Sequence, residues 1–173
     1  GVSFGNFLLK RVIDDLQRDF PKLRQFATLS PLPGFAKWVV KNPQELATDG
    51  LASDAAQLAA GEWVQDAGAA RRINEGLSHM AARYLTLAKA ARGDGRQPLD
   101  AVTRFHLGNG ARIERINPGG DASAKGMQQS FGVMVNYLYD LDELESNVES
   151  FAREGAIATS AAVRRLARPK QVQ

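Results

Sequence analysis

The sequence of 173 residues contains no cysteine. A disulfide framework, thiolate catalysis and cysteine-ligated zinc are therefore excluded, and the composition fits a reducing compartment. No apolar run reaches the roughly 18 residues that a membrane-spanning helix needs, and the first residues carry no signal-peptide pattern. Charge of one sign is also scarce: 22 Lys and Arg against 19 Asp and Glu leave a formal net charge of +3. That is too little for a nucleic-acid footprint, while a pI near 9.4 leaves modest attraction for anions such as phosphate esters. Histidine occurs only twice, as His79 and His106, and there is no G-x-S-x-G nucleophile elbow or internal repeat. What is present, 44% hydrophobic and 24% charged residues, is ordinary for a globular domain with a core of its own.

Periodicity predicts a mixed α/β chain. Leu9, Val12, Ile13, Leu16 and Phe20 recur at helical spacing, so residues 6–20 read as an amphipathic helix that Pro21 stops. Phe26 to Leu29 reads as a short buried strand ending at Ser30, and Phe35 to Val40 as a short helix. Asn42-Pro43 supplies a cap and a first-turn proline. An Ala-rich stretch follows, in which Ile73, Leu77, Met80, Tyr84 and Leu87 predict one long helix over 69–91. Residues 92–95 read as a flexible loop and 98–104 as a short helix delivering His106. Strands are expected over 111–116, with Ala111, Ile113 and Arg115 on one face, and over 133–139, where Tyr137 and Tyr139 share a face. Ser123 caps a short helix through Ser130, and Leu144, Val148, Phe151 and Ala152 mark a C-terminal helix, with another at 161–167 and a free tail at 170–173.

Several residues invite chemistry. Gly1-Val2-Ser3-Phe4-Gly5-Asn6 leads into a helix, where unpaired N–H groups and the helix dipole favour an anion, most usually pyrophosphate; glycines there serve structure at least as readily. Ser30 is presented by a rigid turn at a strand end, as either a turn former or a ligand-facing hydroxyl. His106 is either a packed or capping residue or a proton donor working near neutral pH. His79 with Glu75 makes too few ligands for a metal and reads as a solvated helix face. Tyr137 and Tyr139 share one face of the expected strand with Val133 and Val135 and read as core aromatics. Arg112, Arg115, Arg164 and Arg165 read as a solvated or ion-paired surface.

Three segments together are more specific. Ala27-Thr28-Leu29-Ser30-Pro31-Leu32-Pro33-Gly34-Phe35, Phe105-His106-Leu107-Gly108-Asn109-Gly110-Ala111 and Asn136-Tyr137-Leu138-Tyr139 resemble, in order, the signature of the malonyl-CoA decarboxylase family. The resemblance implies a partial acyl-CoA N-acetyltransferase-like fold with a helical insertion near 43–97 and C-terminal helices. It also implies that the whole chain is the C-terminal part of the catalytic domain, with an upstream helical domain and the first half of that domain absent.

By the same resemblance His106, Ser30 and Tyr139 are the catalytic residues, and the backbone of Gly1, Val2, Ser3, Phe4, Gly5 and Asn6 holds the coenzyme A pyrophosphate. Some family members carry glutamate where this chain has Ser3, so a carboxylate role there does not transfer. The implied reaction is malonyl-CoA to acetyl-CoA and carbon dioxide through a thioester enolate. His106 acts as the acid, and Ser30 and Tyr139 hydrogen-bond the malonyl carboxylate or thioester, although the reverse allocation is chemically possible. The expectation is no metal and no organic cofactor, because the substrate carries coenzyme A and its thioester is the electron sink. Malonyl-CoA and acetyl-CoA are the expected partners, without nucleic acid or membrane, in a cytoplasmic homo-oligomer. Acyl-CoA-dependent acyl transfer to an amine and non-catalytic acyl-CoA binding are the alternative functions.

Overall fold

A computed structural model describes residues 4–91 and 95–168. The expected loop at 92–95 falls largely outside these residues, and the expected tail at 170–173 wholly so. The centre of the fold is a three-stranded antiparallel sheet in the order β1-β3-β2, formed by β1 (Gln25–Pro31), β2 (Arg112–Asn117) and β3 (Met134–Asp140). Burial alternates strictly along β3: Val135, Tyr137 and Tyr139 point inward, while Met134, Asn136 and Leu138 lie on a partly exposed face. That is the period-two consequence of the pleat. On the outer face Asn136 joins both neighbours, donating from Nδ2 to the Thr28 carbonyl (3.0 Å) and accepting from Asn117 Nδ2 (2.9 Å).

Two expectations for the strands change. β1 is not fully buried: Phe26, Thr28 and Ser30 face inward, while Ala27 and Leu29 are exposed, because nothing among the described residues covers its outer face. The simple alternation in β2 fails at Glu114, where a bulge shifts the register between Ile113 and Arg115. The extra residue puts both Ile113 and Ile116 inward and turns Arg115 to solvent.

Helices cover the inner face. α1 (Phe4–Asp19) matches the first amphipathic stretch, and α2 (Phe35–Lys41) buries Phe35, Ala36 and Val39. Asn42 does not cap α3 (Pro43–Thr48) with its side chain; its Nδ2 donates to the Trp38 carbonyl (2.8 Å) and closes α2 instead. Beyond α4 (Ala55–Ala60), α5 (Ala67–Thr86) places Ile73, Leu77, Met80 and Tyr84 in the same core as Tyr137 and Tyr139. Arg83 of α5 is buried between Glu45 (2.7 Å) and Asp49 (2.5 Å), tying α5 to the α3 segment. The long helix ends earlier than its apolar stripe predicts, with Leu87 largely exposed. Backbone pairing takes over there: Ala90 N–H donates to the Gln97 carbonyl and Leu99 N–H to that of Ala88.

The same pairing moves the next helix. Rather than spanning 98–104, α6 is Ala101–Gly108, with Asp100 as its N-cap accepting from the Thr103 N–H (2.7 Å), so His106 sits within its last turn. Asn109 Nδ2 closes the helix on the Phe105 carbonyl (2.6 Å), and Gly110, at φ +85°, turns the chain into β2. α7 (Ala124–Ser130) is capped by Ser123 as expected, through a bond from the Gly126 N–H (3.0 Å). α8 (Leu144–Glu154) packs beside α6, and α9 (Ala161–Ala167) packs on α5 and β2.

The Gly110 turn carries a test. A Cβ there would lie 2.5 Å from the Leu144 carbonyl oxygen, in a left-handed conformation that already disfavours side chains. Gly119 has a similar φ of +68° but open space around it. Gly119→Ala should therefore cost about 1–2 kcal/mol and Gly110→Ala clearly more than about 2 kcal/mol in urea unfolding. Equal losses at the two positions would contradict the packing of α8 against this turn.

Candidate active site

Three elements bring one polar cluster together inside the core. Ser30 lies at the inward end of β1, His106 on the last turn of α6, and Tyr139 on the middle strand. Ser30 Oγ is 3.0 Å from His106 Nε2, and the Tyr139 hydroxyl is 2.6 Å from His106 Nδ1. Thr28 Oγ1 lies 3.2 Å from Ser30 Oγ. Tyr137, the next inward residue on β3, stacks on the imidazole with ring centroids 4.1 Å apart and an interplanar angle of 15°. The Phe105 ring meets the imidazole edge-on at 5.2 Å.

Tyr139 is 1% exposed, and His106 and Ser30 keep 6% and 7%, so this chain of hydroxyls and imidazole is buried along its whole length. A buried phenol must donate its proton. Among the described residues, His106 Nδ1 is the only hydrogen-bond partner of the Tyr139 hydroxyl. Nδ1 therefore accepts, which assigns the single proton of a neutral imidazole to Nε2, aimed at Ser30 Oγ. Ser30 then has its own proton to offer, to Thr28 or to a ligand.

Among the described residues no carboxylate touches the imidazole, and burial pushes its pKa down from 6.5 to about 4. The Tyr139 phenol is likewise pushed up by burial, so both groups are neutral at pH 7.

The pairing of serine and histidine therefore differs from a hydrolase triad. A carboxylate behind the histidine stabilises an imidazolium and orients the ring so that nitrogen accepts from serine. Here a phenol donor stands behind it and the protonated nitrogen faces the serine. The cluster is arranged as a hydrogen-bond donor toward whatever meets Ser30, with no oriented base to activate a nucleophile.

Ser30, His106 and Tyr139 are thus brought together, while the other residues read from the sequence have separate fates. Gly1, Val2 and Ser3 lie outside the described residues, and the backbone of Phe4, Gly5 and Asn6 forms the first turn of α1. His79 is not on a solvated face: it is half-buried, and its Nδ1 lies 2.9 Å from the Leu166 carbonyl, joining α5 to α9. Among the described residues no group of three or more His, Asp or Glu could hold a metal ion, and no helix is long and apolar enough to cross a membrane. Arg112 is ion-paired with Glu114 (2.7 Å) and Glu143 (2.6 Å), and Arg164 bonds the Thr159 carbonyl. Thr28 lies within the first motif but nothing in the sequence gives it a role, and Thr103, a single helical threonine outside the motifs, carries no signal.

An α/β domain with a buried Ser–His–Tyr relay on one face of an antiparallel sheet defines a class of site; comparison defines the family. The model of the malonyl-CoA decarboxylase C-terminal domain matches residues 1–173, and the chain belongs to that family. It is 38% identical to the mitochondrial malonyl-CoA decarboxylase of Rattus norvegicus, over 87% of this chain and 34% of that protein. Crystal structures of malonyl-CoA decarboxylase from Rhodopseudomonas palustris and Agrobacterium vitis superpose with TM-scores of 0.86 and 0.80, at 44% and 42% identity. Each alignment covers 96% of this chain, and 38% and 41% respectively of those chains. The chain thus spans about a third of the length of the curated relatives it matches.

The depressed His106 pKa makes stability depend on pH. Between about 4 and 6.5 the unfolded chain binds a proton at this position that the folded chain refuses, so stability rises with pH across that window and falls on acidification. His106→Gln should remove this contribution. The melting temperature of the wild type is expected to drop more steeply than that of the variant between pH 6.5 and 4. Parallel profiles would mean that His106 is not held neutral.

Proposed function

We propose that this chain carries the catalytic residues of a malonyl-CoA decarboxylase, converting malonyl-CoA to acetyl-CoA and carbon dioxide. The observation that supports it best is the donor-oriented Ser30–His106–Tyr139 relay, together with membership of the family. We also read the chain as part of an acetyltransferase-like fold, with the helices at 43–97 as an elaboration of it. The thioester is itself an electron sink, so the chemistry calls on no metal or organic cofactor.

Loss of carbon dioxide breaks the bond from the malonyl carboxylate carbon to the α-carbon and leaves its electron pair as an enolate on the thioester. The net reaction consumes one proton, and a neutral imidazole cannot be its source. The malonyl carboxylate resolves this. An anion held beside the buried imidazole favours its charged form and opposes the desolvation that keeps it neutral, so His106 takes up a proton as the substrate binds. Nδ1 becomes a donor to the Tyr139 oxygen, which costs the phenol its own acceptor for as long as the imidazolium lasts.

After decarboxylation the Ser30 hydroxyl gives its proton to the α-carbon and takes the Nε2 proton in exchange, which leaves a neutral His106 with its proton on Nδ1. Uptake of a solvent proton at Nε2 and loss of the Nδ1 proton restore the resting tautomer once product has left. Until then the same hydroxyl hydrogen-bonds the thioester oxygen, where negative charge grows. Ser30 and His106 are the catalytic residues in this account. Tyr139, whose hydroxyl is bonded to His106 Nδ1, orients the imidazole.

Incubating the intact protein with malonyl-CoA and following carbon dioxide and acetyl-CoA tests this reading. Acyl transfer would instead require an amine acceptor and yield an acylated product, and a binding module would yield none. His106→Ala should lower kcat by about 10²–10⁴-fold, with His79→Ala near wild type. Ser30→Ala should also be impaired, and no acyl group should be found on Ser30 by mass spectrometry. An acyl-Ser30 adduct would replace the relay with nucleophilic catalysis.

A further inference from the structure

We propose that Thr103 and Tyr137 are positioning residues that fix the plane of the His106 ring, an inference that rests on His106 acting in the decarboxylation proposed above. Hydrogen bonds at Nδ1 and Nε2 hold the imidazole at its two ends. They leave it some out-of-plane tilt through χ1 and χ2, because each bond tolerates a modest departure from linearity. A flat wall against one ring face removes that freedom. Tyr137 is such a wall, nearly parallel to the imidazole at 4.1 Å.

A wall is useful only if it is itself held, and the bonds beyond Tyr137 show how. Its hydroxyl lies 2.7 Å from Thr103 Oγ1, and Thr103 Oγ1 donates to Asp100 Oδ1 (3.0 Å). With the threonine proton committed to the carboxylate, Thr103 must accept from Tyr137, so the phenol donates. Asp100, 3% exposed, also accepts from the Thr103 N–H (2.7 Å) and, at 3.4 Å, from the Tyr84 hydroxyl on α5. One carboxylate thus caps α6 and terminates a donor chain that runs through two elements.

The spacing makes the arrangement a frame. Thr103 and His106 are three residues apart on one face of α6, and Tyr137 and Tyr139 are two apart on the inner face of β3. Thr103–Tyr137 and His106–Tyr139 are therefore two rungs between the same helix and strand. The ring that moves the proton sits on one rung, and its stacking partner is pinned by the other.

Thr103→Val keeps the shape of the side chain and removes both of its hydroxyl bonds, while the Thr103 N–H cap to Asp100 remains. The expected result for malonyl-CoA turnover in the intact protein is a kcat about tenfold or more below wild type with KM changed by less than about twofold, as for a misaimed catalytic group. Thr103→Ser should restore most of kcat. Labelling of His106 by diethyl pyrocarbonate, read by mass spectrometry below the melting temperature, should be several-fold faster in Thr103→Val than in wild type or Thr103→Ser, since a rocking ring exposes its nitrogens.

Tyr137→Phe keeps the ring but cuts the pin, leaves Thr103 bonded to Asp100, and should show the same two changes even if Thr103→Val fails to fold. A lowered melting temperature with unchanged kcat and unchanged labelling in Tyr137→Phe would overturn the proposal and leave a purely structural pair. If the wild-type protein does not decarboxylate malonyl-CoA, the functional reading fails, and the labelling comparison alone still decides whether the pair holds the ring.

Discussion

One imidazole joins the helix α6 to two strands, and the local structure around it follows from that requirement. For His106 to reach Ser30 on β1 and Tyr139 on β3 at once, α6 must lie against the inner face of the sheet with its last turn over these two adjacent strands. Asp100 fixes where the helix begins, and Asn109 and Gly110 end it immediately after the histidine. The pleat of β3 does the rest, since alternate residues place Tyr137 under the ring face and Tyr139 at its end. The family motifs thus have structural meaning residue by residue. Gly34 is one example: a Cβ there would lie 2.7 Å from the Tyr84 hydroxyl, so the glycine lets α2 approach α5.

The electrostatic character of the site follows from what is absent around that imidazole among the described residues. Its partners are hydroxyls and aromatic rings, and none of them is charged at pH 7. The nearest carboxylate in the bonded network, Asp100, reaches it only through Thr103 and the Tyr137 ring. Desolvation therefore dominates and keeps the histidine neutral. In the proposed decarboxylation this has a chemical logic. A site with its own fixed negative charge would repel the malonyl carboxylate. A neutral site would admit it and let the substrate bring the charge that loads the proton.

Much of this was legible in the sequence, for physical reasons that differ by element. Ser30, His106 and Tyr139 are singled out by the resemblance of the three motifs to the family signature, since taken alone they read as readily as a turn former, a packed histidine and a core aromatic. α1, α2, α7 and α9 follow from periodicity and caps. The misses share a cause. Where the chain pairs with itself, as Ala88 to Ala90 do with Gln97 to Leu99, backbone hydrogen bonds override an apolar stripe that would extend α5 and shift the start of α6. The bulge in β2 and the buried Arg83 with Glu45 and Asp49 likewise depend on partners far along the chain. Tyr137 was visible as a core aromatic, but its stack on His106 required the register of β3 against α6. Asp100 is hidden as a cap because an expected helix that starts at residue 98 puts it in the interior, and with it the bond to Thr103.

The account turns on which imidazole nitrogen carries the proton, because that decides whether Ser30 is held as a donor or activated as a nucleophile. Long-range proton–nitrogen correlation spectra of the ligand-free intact protein at pH 7, with the His106 signals identified by their loss in His106→Ala, measure this directly. The account predicts a neutral His106 whose Nε2 has the shift of a protonated nitrogen and whose Nδ1 has that of an unprotonated acceptor. A proton on Nδ1, or an imidazolium at pH 7 without substrate, would contradict it.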